Sequence, residues 1–121
     1  MLDLTGRELS EQAKLMVPKI SCEDYKKLKD SGTSHILLDV REDGEWDDGH
    51  MDGAVHVPRG VLEFKIPTVA PDKNVQIVIC CARGSRAALA GQTLIDLGYT
   101  NPMYLEGGFI GWCLMDDHGK F

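Results

Sequence analysis

The sequence has no long apolar run, no block of basic residues and no C-x-x-C motif. Each absence removes a class of protein. Its longest apolar stretches are far too short to cross a bilayer, so no membrane association is expected. The formal net charge is −6 and no basic cluster interrupts it, which argues against a nucleic-acid binder. The opening residues Met1-Leu2-Asp3-Leu4-Thr5-Gly6-Arg7 lack the basic-then-apolar order of a secretory signal. No C-x-x-C occurs, and His35, His50, His56 and His118 do not stand at finger-like spacings from the cysteines, so no metal site is expected. Cys80 and Cys81 are neighbours. A trans peptide holds such Cα atoms about 3.8 Å apart, below the roughly 4.4–6.8 Å that a disulfide normally needs. Free thiols in a reducing compartment, the cytoplasm, are the expectation, with no cofactor. No repeat, low-complexity stretch or linker divides the 121 residues, which suffice for one domain with its own core.

What is present is an alternation of short apolar runs and helical patterns. Leu9 to Met16 predicts a short amphipathic helix with Leu9, Ala13 and Met16 on one side, ended by Val17-Pro18. Lys19-Ile20 reads as an edge strand. Ser21 then caps a helix running to about Asp30 and closed by Gly32. His35 to Val40 is a nearly continuous apolar run of the kind buried on both faces of a parallel sheet. Asp43 to Asp48 suits a short helix, and Ala54 to Val57 a brief strand stopped by Pro58. Val61 to Ile66 is read as helical, with turns imposed by Pro67 and Pro71. Gln76 to Cys80 is the strongest strand. Arg86 to Leu97 is the strongest helix, with Ala87, Ala90, Leu94 and Leu97 on one apolar face and Gly98 as its cap. Pro102 to Leu105 is the last strand expected, followed by a tail that begins Gly107-Gly108. This order predicts an α/β fold, a mostly parallel sheet covered by helices on both faces.

The sharpest chemical signal is Cys81-Ala82-Arg83-Gly84-Ser85-Arg86, set between that strand and that helix. A helix start directs N–H groups and a positive dipole end at the preceding loop. Gly84 permits a tight turn, and Arg83 and Arg86 add charge-assisted donors. Such a setting favours the anionic form of a thiol or of its adduct. A second group, Asp39-Val40-Arg41-Glu42, Glu45-Trp46 and Gly49 to Ala54, begins at the carboxyl end of a strand, where open α/β sheets place their ligand crevice. Asp39 and Arg41 are read as supports of the site, and His50 as satisfying a backbone group. In the third group, Gly107-Gly108-Phe109-Ile110-Gly111-Trp112, the glycines imply close backbone approach, and Phe109 and Trp112 are core anchors.

In this order the three groups resemble the rhodanese-like domain, whose pattern reads D-V-R-x-x-x-E, G-H-I-x-G-A, C-x-x-G-x-R, G-[YF]-x-N and G-G-x-x-x-W. The resemblance covers about residues 17–113, with Met51 where Ile is usual and Ala87 where Ser is common. It implies a three-layer fold on a five-stranded sheet, residues 17–121 as the domain, and residues 1–16 as an N-terminal extension carrying a short helix. It further implies a sulfurtransferase in which Cys81 takes up a sulfane sulfur as a persulfide, while Ala82, Arg83, Gly84, Ser85 and Arg86 cradle the donor. The implied partners are a small anionic donor such as thiosulfate and a thiol or cyanide acceptor, including a protein thiol. Two other readings stand beside it. Counted from Cys80, the chain also contains C-x5-R, the loop of rhodanese-related cysteine phosphatases. A sulfur-relay module working only with a partner protein is the other.

Overall fold

The computed structural model describes residues 4–121. Residues 1–3, the start of the expected extension, lie outside the described residues. The elements run α1 (Gly6–Met16), β1 (Lys19–Ser21), α2 (Cys22–Asp30), β2 (Ile36–Asp39), α3 (Asp43–Asp47) and β3 (Val55–His56). A 3-10 turn (Arg59–Val61) leads into α4 (Leu62–Val69), then β4 (Ile77–Cys80), α5 (Ser85–Asp96), β5 (Pro102–Glu106) and α6 (Gly108–Leu114). The sheet order is β1-β5-β4-β2-β3, and every pairing is parallel, so the expected "mostly parallel" sheet is wholly so among the described residues. No described helix is long and apolar enough to cross a membrane.

Strand alternation divides the core in two. Ile77, Ile79 and Cys81 join Leu38, Val40 and the buried residues of α1, α4 and α5 on one face of the sheet. Val78 and Cys80 join Leu37, Leu105 and the residues of α2 on the other, with Phe109 and Trp112 of α6 packed against them. Consecutive cysteines thus enter different layers.

Local chemistry sets the helix starts. The Thr5 hydroxyl accepts from Glu8 N at 3.1 Å while Glu8 accepts from Thr5 N, a capping box that starts α1 at Gly6, ahead of the expected Leu9. Ser21 accepts from Asp24 N at 3.0 Å and starts α2 as expected.

Three expectations need correction. Leu9 and Met16 do not share a buried face with Ala13; they are 48% and 69% exposed, and Ser10, Ala13 and Val17 are the buried residues. The α1–α5 seam is narrow because Val17 sits directly on Gly91, where a Cβ would lie 2.6 Å from Val17 Cγ1. Leu97 is also exposed, because the end of α5 tightens and Leu97 N donates to the Leu94 carbonyl at 3.2 Å. Tyr99 takes the buried place instead, its hydroxyl donating to the Ala70 carbonyl at 2.6 Å. Pro67 imposes no turn. It lies within α4 on the exposed side, and buried Leu62 and Ile66 hold the helix to Val69.

Candidate functional site

β4 is the central strand, and its register places Cys80 beside Asp39 of β2. The carboxyl ends of these two strands therefore bring the D-V-R and C-x-x-G-x-R segments together. Cys81 is the first residue past β4 and only 1% exposed, less open than its position in a loop suggested. What encloses it is the loop itself. Gly84 N donates to Cys81 Sγ at 3.0 Å, and Ala87 N, in the first turn of α5, does so at 3.3 Å. Two N–H dipoles thus converge on one sulfur, and the helix start adds its positive end. Gly84 has φ +120°, a backbone state that side-chain-bearing residues rarely adopt.

The loop is turned inward because its outer side is tied down. Phe109 N donates to the Cys81 carbonyl at 2.8 Å and Ile110 N to the Ala82 carbonyl at 3.0 Å. These amides belong to the first turn of α6, so that helix uses its orphan donors on the loop's carbonyls. The approach is possible only without a side chain at Gly108: a Cβ there would stand 2.5 Å from both carbonyl oxygens. The close approach expected of the paired glycines is located here, whereas the helix they introduce was not expected.

Arg86, at the start of α5, forms two parallel bonds with Glu45 of α3, Nη1–Oε1 at 2.6 Å and Nη2–Oε2 at 2.9 Å. These bonds from Arg86 hold the Glu45 carboxyl down at about 2. Arg83 is exposed and makes no ion pair or side-chain hydrogen bond among the described residues. Cys81, Ala82, Arg83, Ser85 and Arg86 line an open cleft of about 280 Å³. A larger, mainly apolar groove of about 460 Å³ lies between α1 and α5 and includes Leu9, Met16, Arg59 and Leu89; it shares no lining residue with the cleft. The thiol of Cys81 and the guanidinium groups of Arg83 and Arg86 lie at the smaller one.

Beneath the loop, Asp39 and Arg41 are both buried. Arg41 Nε reaches both Asp39 oxygens at 3.1 Å, and Nη2 donates to Oδ2 at 2.9 Å. Arg41 also donates to the Glu45 carbonyl at 3.3 Å and the Gly49 carbonyl at 2.7 Å, and its guanidinium lies 4.5 Å from the Phe109 ring centre. Burial works against the Arg41 charge, but the hydrogen bonds and charge of Asp39 outweigh it and raise its pKa. The pair ties β2, α3 and the 49–50 turn into one frame. His50 donates to the Trp46 carbonyl at 3.0 Å, as expected of a residue satisfying the backbone.

Cys80 behaves differently from Cys81. Its thiol points into the other layer and donates to the Cys81 carbonyl at 3.4 Å; burial first, then the Asp39 carboxylate, push its pKa up. Cys22 is likewise buried and pushed up to about 11, mainly by desolvation, and Cys113 is exposed. Among the described residues no cluster of His, Cys, Asp or Glu is arranged to hold a metal ion. The role of Glu45 as the anchor of Arg86 was not read from the sequence, although the D-V-R-x-x-x-E spacing carried it.

The rhodanese-like domain family matches residues 21–115, and the chain belongs to that family. It is 33% identical to the "Putative sulfur carrier protein YrkF" of Bacillus subtilis over 107 residues, covering 88% of this chain and 57% of that protein. The chain therefore spans little more than half the length of that relative. Among solved structures it resembles a Rhodopseudomonas palustris protein described as a "Possible Tyrosine Phosphatase", with TM-score 0.83, 29% identity, and coverage of 93% and 92% of the two chains. It also resembles a human single-domain sulfurtransferase, TSTD1, with TM-score 0.73, 27% identity and coverage of 84% and 99%.

Proposed function

We propose that this chain transfers sulfane sulfur through a persulfide on Cys81, with Ala82, Arg83, Gly84, Ser85 and Arg86 as the cradle and Asp39 and Arg41 as its support. The observation that carries this reading is the pair of backbone donors on one sulfur, Gly84 N at 3.0 Å and Ala87 N at 3.3 Å, beside an exposed Arg83. Such donors stabilise an anion that must form, attack and re-form. With thiosulfate the Cys81 thiolate attacks the outer sulfur. The new Sγ–S bond forms as the S–SO3 bond breaks, and sulfite leaves with the electron pair past Arg83. A thiol or cyanide then takes the outer sulfur and returns the thiolate, a double displacement through a covalent intermediate. We assign the reaction to a reducing compartment, the cytoplasm, and treat residues 1–16 as an extension, whose helix α1 packs against α5, of a domain spanning 17–121.

Two observations weigh against a phosphatase built on Cys80-x5-Arg86. Cys80 lies in the opposite layer from the cradle, and Arg86 is already engaged by Glu45. A partner-dependent relay is the second reading, favoured by the relative named as a sulfur carrier. Thiocyanate formation from thiosulfate and cyanide tests the enzyme reading. Cys81→Ser abolishes it and Cys80→Ser retains it. Loss in Cys80→Ser alone, with stability unchanged, overturns the assignment, and turnover only with a protein acceptor selects the relay.

A further inference from the structure

We propose that Glu45 selects the donor: by cancelling the charge of Arg86 it tunes the cleft to donors of low charge, organic hydropersulfides R–S–S–H, over the dianion thiosulfate. This rests on the sulfur-transfer reading above.

Arg86 lines the cleft, yet both of its terminal nitrogens are committed to Glu45, at 2.6 and 2.9 Å. Parallel charge-assisted bonds of this kind fix both partners and hold the guanidinium away from another anion. Glu45 is itself fixed. Its Oε1 accepts from Glu42 N at 3.1 Å at the start of α3, and its carbonyl accepts from Arg41 at 3.3 Å. Two arginines less one glutamate leave the cleft a single positive charge, carried by Arg83, and ionisation of Cys81 brings the total to zero. A chain of net charge −6 adds no long-range attraction for a dianion.

The two donors differ in the charge they gather there. Thiosulfate and the thiolate bring three negative charges into the transition state. A hydropersulfide reacting in its protonated form and the thiolate bring one. In that case the thiolate attacks the outer sulfur of R–S–S–H, the Sγ–S bond forms, the donor's S–S bond breaks, and R–S⁻ departs with the electron pair. The proton stays on the transferred sulfur, giving Cys81–S–S–H. One leaving charge meets one uncompensated cation, Arg83.

The test measures the rate of Cys81 loading by intact mass, with thiosulfate and with the hydropersulfide of 2-mercaptoethanol, in the parent chain and in Glu45→Gln. Glu45→Gln frees the Arg86 charge. It is expected to raise the thiosulfate-to-hydropersulfide rate ratio by roughly tenfold at low salt, a shift that a merely loosened loop would not produce. A second measurement needs no variant. Screening speeds the meeting of like charges and slows that of opposite ones. The parent's loading by thiosulfate should therefore hold or rise as salt is added. An unchanged donor ratio in Glu45→Gln overturns the inference, and so does a steep fall of the parent's thiosulfate rate with salt. No loading of the parent by either donor overturns the sulfur-transfer reading and this inference with it; loading by both with an unmoved ratio overturns only this inference.

Discussion

Gly108→Ala is expected to be among the most damaging single-methyl additions near the site. The added Cβ would lie 2.5 Å from the carbonyl oxygens of Cys81 and Ala82, and Gly108 has φ +60°. The left-handed conformation alone costs a side-chain-bearing residue roughly 1–2 kcal/mol. The two carbonyls cannot yield without stretching the bonds they accept from Phe109 N and Ile110 N, at 2.8 and 3.0 Å. Each such bond contributes about 0.5–1.5 kcal/mol, so the total loss is on the order of 2–5 kcal/mol. Gly107→Ala is the control. Its φ is +87°, but its nearest contact is Gly111 Cα at 3.7 Å, so it carries the conformational cost without the collision. Urea unfolding at constant m-value reads both. The account predicts a gap of about 1–3 kcal/mol between the two variants, together with slowed Cys81 chemistry in Gly108→Ala. Equal midpoints for the two would refute the claim that α6 braces the loop through this contact.

Cys80→Ser should lower stability by about 1–2 kcal/mol, since it sets a hydroxyl in an apolar layer, while leaving sulfur transfer in place; urea midpoints beside turnover check it. Asp39→Asn leaves the buried Arg41 guanidinium without its counter-charge and should cost about 3 kcal/mol or more in the same unfolding assay. Glu45 is depressed from 4.5 to about 2 by Arg86, so its contribution to stability is present above pH ~4.5 and fades as pH falls toward 2. The stability difference between the parent and Glu45→Gln should narrow over that window, and a gap as wide at pH 2 as at pH 7 would contradict the pairing.

Much of this was legible in the chain because single elements carry their own signals. β4 is an unbroken apolar run, α5 an alanine-rich stripe, and the loop between them has its chemistry in consecutive residues. Strand alternation then sends Cys80 and Cys81 to opposite layers, a separation the structure shows. What escaped depended on contacts between distant segments. Arg86 meets Glu45 across 41 positions of sequence, and α6 finds its place only when its first amides meet the carbonyls of Cys81 and Ala82. Paired glycines read as a tail because neither favours a helix interior, yet here they stand at its start, where a close approach requires them. Leu97 went astray for a local reason, since a tightened final turn rotates the side chain off the stripe that the 3.6-residue period predicts.

The central claim is that Cys81 carries sulfur, and the most direct test is intact mass after incubation with thiosulfate and removal of excess donor. The account predicts one added sulfur on the parent chain, localised to Cys81 by peptide mapping, removed by cyanide, still formed in Cys80→Ser and absent in Cys81→Ser. An unmodified parent, or a sulfur mapped to Cys22, Cys80 or Cys113 with Cys81 untouched, would contradict it.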